Sequence, residues 1–147
     1  MYQRILVATD GSALSKKAVK HAISLAASTG ASLVALKVVP RYPVSFFDGS
    51  ATLSVETVSE AEKKWVTDAE SQLDAVVKEA QSAGVKAKTA VVKSDLIAES
   101  IISAARKHKA DLVVMASHGR KGLKRILLGS EALAVLTHSE VPVLILR

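Results

Sequence analysis

Leu112-Val113-Val114-Met115 is a run of four apolar residues with nothing polar between them, and it constrains the architecture more than any other stretch. A strand with one wet face alternates apolar and polar side chains. An unbroken apolar run belongs to a strand covered on both faces, as in a parallel sheet flanked by helices. The run leads into a loop of small residues, Ala116-Ser117-His118-Gly119, and Gly129-Ser130 follows where a new helix should begin. Such a loop and helix start expose backbone N–H groups at the positive end of a helix dipole, which suits phosphate. Arg120, Lys121, Lys124 and Arg125, lying between, carry charge of the matching sign.

The rest of the chain alternates in the same way. Arg4–Thr9 reads as a short buried strand, followed by the turn Asp10-Gly11-Ser12, where Ser12 or Ser15 can cap a helix. Helical spacing runs over Leu14–Ser28 through Leu14, Ala18, Val19, Ala22, Leu25 and Ala26, and Gly30 is placed to end it. A second apolar strand, Ser32–Val39, stops at Pro40. Residues 40–54 hold both phenylalanines and two of the three prolines. They read as a surface loop with locally packed aromatics, or as a cover over the same end of the sheet. A long helix spans Val55–Ala83, with Val58, Ala61, Trp65, Ala69, Leu73, Val76 and Ala80 in one stripe; Trp65 serves core or interface packing. Val85–Val92 alternates against Lys86 and Lys88, as a half-exposed edge strand does. Ser94-Asp95 opens a helix reaching Lys109, with Ile97, Ile101, Ile102, Ala104 and Ala105 on its apolar face. After the strand Leu112–Ala116 come a helix over Ser130–His138 and a last strand, Val143–Leu146.

This order predicts one α/β domain over residues 1–147: an open five-stranded parallel sheet with helices on both faces. With strands two and three on one side of strand one, and four and five on the other, the strand order is 3-2-1-4-5. It reverses between strands one and four, where open sheets of this kind bind ligands. The loops at that point are 9–12 and 116–119. Asp10 there can accept from a ribose, help to hold a divalent cation, or simply cap the following helix.

Composition removes several classes of function. Hydrophobic residues make up 49% of the 147 but aromatics only 3%, so the core is aliphatic. Without cysteine there is neither disulfide framework nor thiolate metal site. The sequence opens on a strand rather than a basic-then-apolar leader, and no apolar run approaches the roughly 20 residues that span a bilayer. The expectation is a soluble, cytoplasmic chain with no membrane partner. The net charge of +6 is spread among interspersed acids, and aromatics for base stacking are scarce, which argues against a nucleic-acid partner. Neither a P-loop nor a dinucleotide-binding glycine turn is present. The four histidines lack metal-binding spacing. His21 and His108 read as solvent-facing, and His138 lies near a helix C-terminus, where a cation is favoured. Only His118 falls in the crevice, as a phosphate donor or a structural loop residue. No Ser-His-Asp set or catalytic base is visible, so no enzymatic role is assigned. The apolar strand Val143–Leu146 at the sheet edge calls for a partner strand, and a homodimer would supply it.

On these residues the chain resembles the universal stress protein family along essentially its whole length. The ATP-binding members carry Gly-x-x-Gly-x(9)-Gly-[Ser/Thr] after the fourth strand. Here Ala116-Ser117-His118-Gly119, nine residues, then Gly129-Ser130 matches every fixed position except the first, where Ala116 stands. The opening ILVATDGS, the VVMASHG segment and the closing VPVLILR are similar too. The resemblance implies a fold of the adenine nucleotide alpha hydrolase-like type and an ATP ligand, with or without magnesium. It implies adenine and ribose contacts from Thr9, Asp10 and Val38, with Met115 and Ala116 against the nucleotide. Backbone at Gly119, Arg120, Gly129, Ser130 and Glu131 would hold the phosphates, and Asp10 is the one residue placed to reach a magnesium ion. It further implies a regulatory stress-response role through nucleotide occupancy and a homodimer; a ligand-free dimerising adaptor and a slow ATP-hydrolysing enzyme are the alternatives. At Ala116 the consequence depends on backbone: a methyl crowds a tight ligand, but costs nothing at ordinary strand dihedrals.

Overall fold

A computed structural model describes residues 1–41, 55–119 and 128–147. Five strands, β1 (Arg4–Ala8), β2 (Ser32–Val39), β3 (Ala87–Lys93), β4 (Leu112–Ala116) and β5 (Val143–Leu146), form one sheet in the order β3-β2-β1-β4-β5. All four pairings are parallel. The helices are α1 (Ala13–Thr29), α2 (Val55–Ser82), α3 (Ile97–Lys107) and α4 (Ser130–His138). The predicted architecture and strand order are those observed.

Alternation along each strand divides the core into two layers. Ile5 and Val7, Leu33 and Ala35, Leu112 and Val114 pack with α1 and α2, through Ala18, Ala22, Ala26 and Leu73. Leu6, Val34, Leu36, Val113 and Met115 face the other way, onto Ile101, Ala104 and Ala105 of α3 and Ala132 and Val135 of α4. The unbroken apolar runs therefore mark strands buried on both sides. On α2 the expected stripe holds, with Ala69, Leu73 and Ala80 buried and Trp65 half-buried.

Helix ends depart from expectation where the chain turns locally. Ser12, not Ser15, caps α1, its side chain accepting from the Ser15 amide. Gly30 closes the helix in the left-handed conformation, φ 73°. β1 ends at Ala8 rather than Thr9, although the Thr9 amide still reaches the Leu36 carbonyl at 3.0 Å. β3 begins at Ala87 rather than Val85, because Val85 is still closing α2 through its amide on the Ala80 carbonyl. α3 stops at Lys107, not Lys109. Lys109 turns to φ 53°, and the Ala110 amide bonds back to Ala105, a left-handed helix stop without glycine. Ser94 accepts from the Leu96 amide before α3 starts, and Asp95 accepts from the Arg41 amide, so neither caps the helix itself.

Candidate functional site

β1 lies against β4, with Val7 beside Val114, so their carboxyl ends open side by side between the two halves of the sheet. The two small-residue loops meet there. A Cβ built on Gly119 would lie 2.5 Å from Oδ2 of Asp10, which places the β4 loop directly on the β1 loop. Val38 and Met115 sit in the same apolar layer, on the face carrying α3 and α4. Thr9, Asp10, Val38, Met115, Ala116 and Gly119 thus gather at one end of the sheet. Arg120, with Lys121, Lys124 and Arg125, lies outside the described residues, as does nearly all of the 40–54 segment.

Hydrogen bonding fixes the β1 loop before any ligand is considered. Asp10 Oδ1 accepts from the Ser12 amide at 2.9 Å, and Gly11 turns at φ 80°. The Thr9 hydroxyl shares a 3.0 Å bond with the buried Ser15 hydroxyl and accepts from the Gly11 amide. Asp10 is therefore a turn residue, and the cap of α1 belongs to Ser12. Thr9 shapes this loop with its hydroxyl turned inward.

On the other side Ser117 is the hinge of the loop. It is buried; its amide donates to the Leu146 carbonyl at 2.7 Å, and its hydroxyl lies 3.2 Å from His118 Nδ1. The Ser117 carbonyl receives the Gly129 amide at 2.6 Å. The Gly129 N–H is thereby used inside the protein. The glycine's lack of a side chain matters because an added Cβ would come to 3.0 Å from the Ser117 oxygen and 3.4 Å from His118 Cα.

Gly129 is also the N-cap residue of α4, and it has no side chain with which to cap. The first intrahelical bond is that of the Leu133 amide to the Gly129 carbonyl. The amides of Ser130, Glu131 and Ala132 precede it and meet no acceptor among the described residues. The Glu131 carboxylate turns to the neighbouring helix, its Oε2 accepting from the Ala98 amide at 3.1 Å. It stabilises the first turn of α3, whose own N-cap, Leu96, offers no side-chain acceptor. Sequence reasoning missed this role, although a Leu at an N-cap signals that the acceptor must come from elsewhere.

Ala116 belongs to β4 and pairs with Leu146. Lys109 is the only non-glycine with positive φ among the described residues, so the alanine sits at ordinary strand dihedrals. Nothing in the backbone at this position demands glycine.

Comparison with known proteins adds an independent line. A model of the universal stress protein family matches residues 1–147. Universal stress protein MJ0531 of Methanocaldococcus jannaschii is 39% identical over 147 residues, covering 100% of this chain and 83% of that protein. Universal stress protein MJ0577 of the same organism is 31% identical over 156 residues, covering 100% and 96%. A solved structure of MJ0577 superposes with a TM-score of 0.84 over 99% of this chain and 96% of its own. A universal stress protein solved in complex with cAMP superposes at 0.69, with 27% identity over 99% and 97%.

Proposed function

The chain belongs to the universal stress protein family, and from that premise we propose that its crevice binds ATP and that occupancy regulates contacts with other chains. The observation carrying this reading is the start of α4. Gly129 has no side chain with which to cap, and the amides of Ser130, Glu131 and Ala132 meet no acceptor among the described residues, which suits a polyphosphate at the positive end of the helix. The Ser130 hydroxyl adds a donor beside them. Val38 and Met115 supply an apolar surface for the purine, and Asp10 an acceptor for a ribose hydroxyl or a ligand for magnesium. Gly119 lets the β4 loop approach that acceptor. The complex of a relative with cAMP supports an adenine nucleotide as the ligand class.

The dimer belongs to the same proposal. β5 is an edge strand, and all four of its residues are half-buried. Leu133 and Leu136, one turn apart on the helix that precedes β5, are 52% and 48% exposed, further apolar surface for a partner to cover. A second copy pairing along Val143–Leu146 would cover it.

Calorimetric titration of purified protein with ATP, with and without magnesium, tests the ligand. A hundredfold excess over the dissociation constant raises stability by about 2.7 kcal/mol. That is a rise in melting temperature of about 5–10 °C for a chain of this size. Absence of both heat and a thermal shift at millimolar ATP would leave a ligand-free adaptor as the better account. Leu136→Glu tests the dimer by sedimentation, with monomer expected. Deleting residues 142–147 is a poorer test, because β5 also pairs with β4.

A further inference from the structure

A second feature lies along the edge of the sheet farthest from β5. An open groove of about 550 Å³ runs between α3 and β3, with Ala90 and Val92 lining it from the strand. Ser100, Ser103 and Lys107, on successive turns, line it from the helix, and His108 stands at its far end. Lys88 is two residues before Ala90 and so on the same face of β3.

The charged groups that act on His108 are all cations. Lys88 on β3, Lys107 on α3 and Arg4 on β1 each act on the imidazole. Lys88 and Lys107 form no ion pair among the described residues, where the salt bridges are Lys93 with Glu62 and Arg106 with Glu140. The nearby Asp111 carboxylate is occupied by the Gln3 and Arg4 amides. Glu99, the acid on the groove wall, is eight residues up α3 from Lys107, about 12 Å along the axis. That exceeds the roughly 8 Å over which salt screens exposed charges. The Ala104 and Ala105 carbonyls accept backbone amides, and that of His108 accepts Arg4 Nη1 at 2.9 Å.

We propose that the end of the groove lined by Ser103, Lys107 and His108, with Lys88 beside it on the same face of β3, binds a phosphate group, either inorganic phosphate or a phosphomonoester. Two ammonium groups, a hydroxyl and an imidazole offer donors of different reach to an acceptor with several oxygens. The strip of Ala90 and Val92 beside them suits the carbon portion of an ester. Burial and the three cations hold His108 below the usual imidazole range, so an anion there favours its protonation.

The test is a histidine-resolved NMR pH titration of the full chain in phosphate and in chloride at matched ionic strength. Phosphate is expected to raise the His108 midpoint by about one pH unit, saturably, with His21 and His138 unmoved. His118 reports the crevice separately, so binding there is not confused with binding here. In Lys88→Gln/Lys107→Gln the His108 midpoint is expected to rise in chloride and to lose its dependence on phosphate. These lysines are exposed, so the fold survives the change. Phenyl phosphate acting at lower concentration than inorganic phosphate assigns an ester as the ligand, and equal action assigns the free anion. A His108 midpoint identical in phosphate and chloride, or a phosphate effect persisting in the double variant, overturns the proposal.

Discussion

Gly119 and Asp10 are 109 residues apart in sequence, yet a methyl group on the glycine would lie 2.5 Å from the aspartate Oδ2. What the methyl meets is the end of a side chain rather than backbone. Relief is therefore cheap in stability and expensive in position, since moving the carboxylate strains its bond to the Ser12 amide. Gly119→Ala should change folding stability by less than about 1 kcal/mol while weakening ATP binding about tenfold, which is 1.4 kcal/mol. Thermal melting and calorimetry on the same preparation separate the two. Unchanged ATP affinity would remove Asp10 from the binding site.

Ala116 leads to the opposite expectation. It is a strand residue paired with Leu146, and it needs no glycine conformation. Restoring the family's glycine with Ala116→Gly should leave ATP affinity within about twofold, or 0.4 kcal/mol. It should cost about 0.5–1 kcal/mol of stability by loosening the strand end. A tenfold gain in affinity would show instead that the methyl crowds the nucleotide.

Glu131 joins two helices, its carboxylate standing 3.1 Å from the Ala98 amide. Removing an N-terminal acceptor from a helix costs about 0.5–2 kcal/mol. Glu131→Ala should lower the melting temperature by about 2–6 °C, while Glu131→Gln, which keeps an acceptor oxygen, should recover most of it. Equal loss in both variants would mean that the charge, not the hydrogen bond, is what α3 uses.

These relationships mark the boundary of what residue order discloses. Apolar runs and helical spacing report which faces are buried, so the sheet, its strand order and the meeting of the loops at 9–12 and 116–119 were legible. Bonds closed by backbone geometry were not. The Gly129 amide is consumed by Ser117, and α3 stops at Lys107, with Lys109 turning left-handed and no glycine or proline to announce it. Nor does any local pattern show that Glu131 serves a helix 33 residues earlier. His108 illustrates the same gap. It was expected in solvent, but it is half-buried, its carbonyl held by Arg4 Nη1 and its ring acted on by Lys88 of β3.

That placement gives stability a pH dependence whose sign follows from linkage. Burial, then Lys88, Lys107 and Arg4, lower the folded-state pKa of His108 below the ordinary imidazole value of about 6.5. Between the lowered folded value and the unfolded one the unfolded chain binds more protons, so stability rises with pH across that window. Above the unfolded value the histidine is neutral in both states and contributes no slope. The chain should accordingly lose stability as pH falls below about 6.5, in addition to whatever its carboxylates contribute at lower pH. His108→Gln should flatten the curve between pH 6.5 and the folded-state value. Lys88→Gln should flatten it only in part, since burial remains. Urea melts of the three proteins across this range measure the slope directly, and a His108→Gln curve parallel to the parent would place the proton uptake elsewhere.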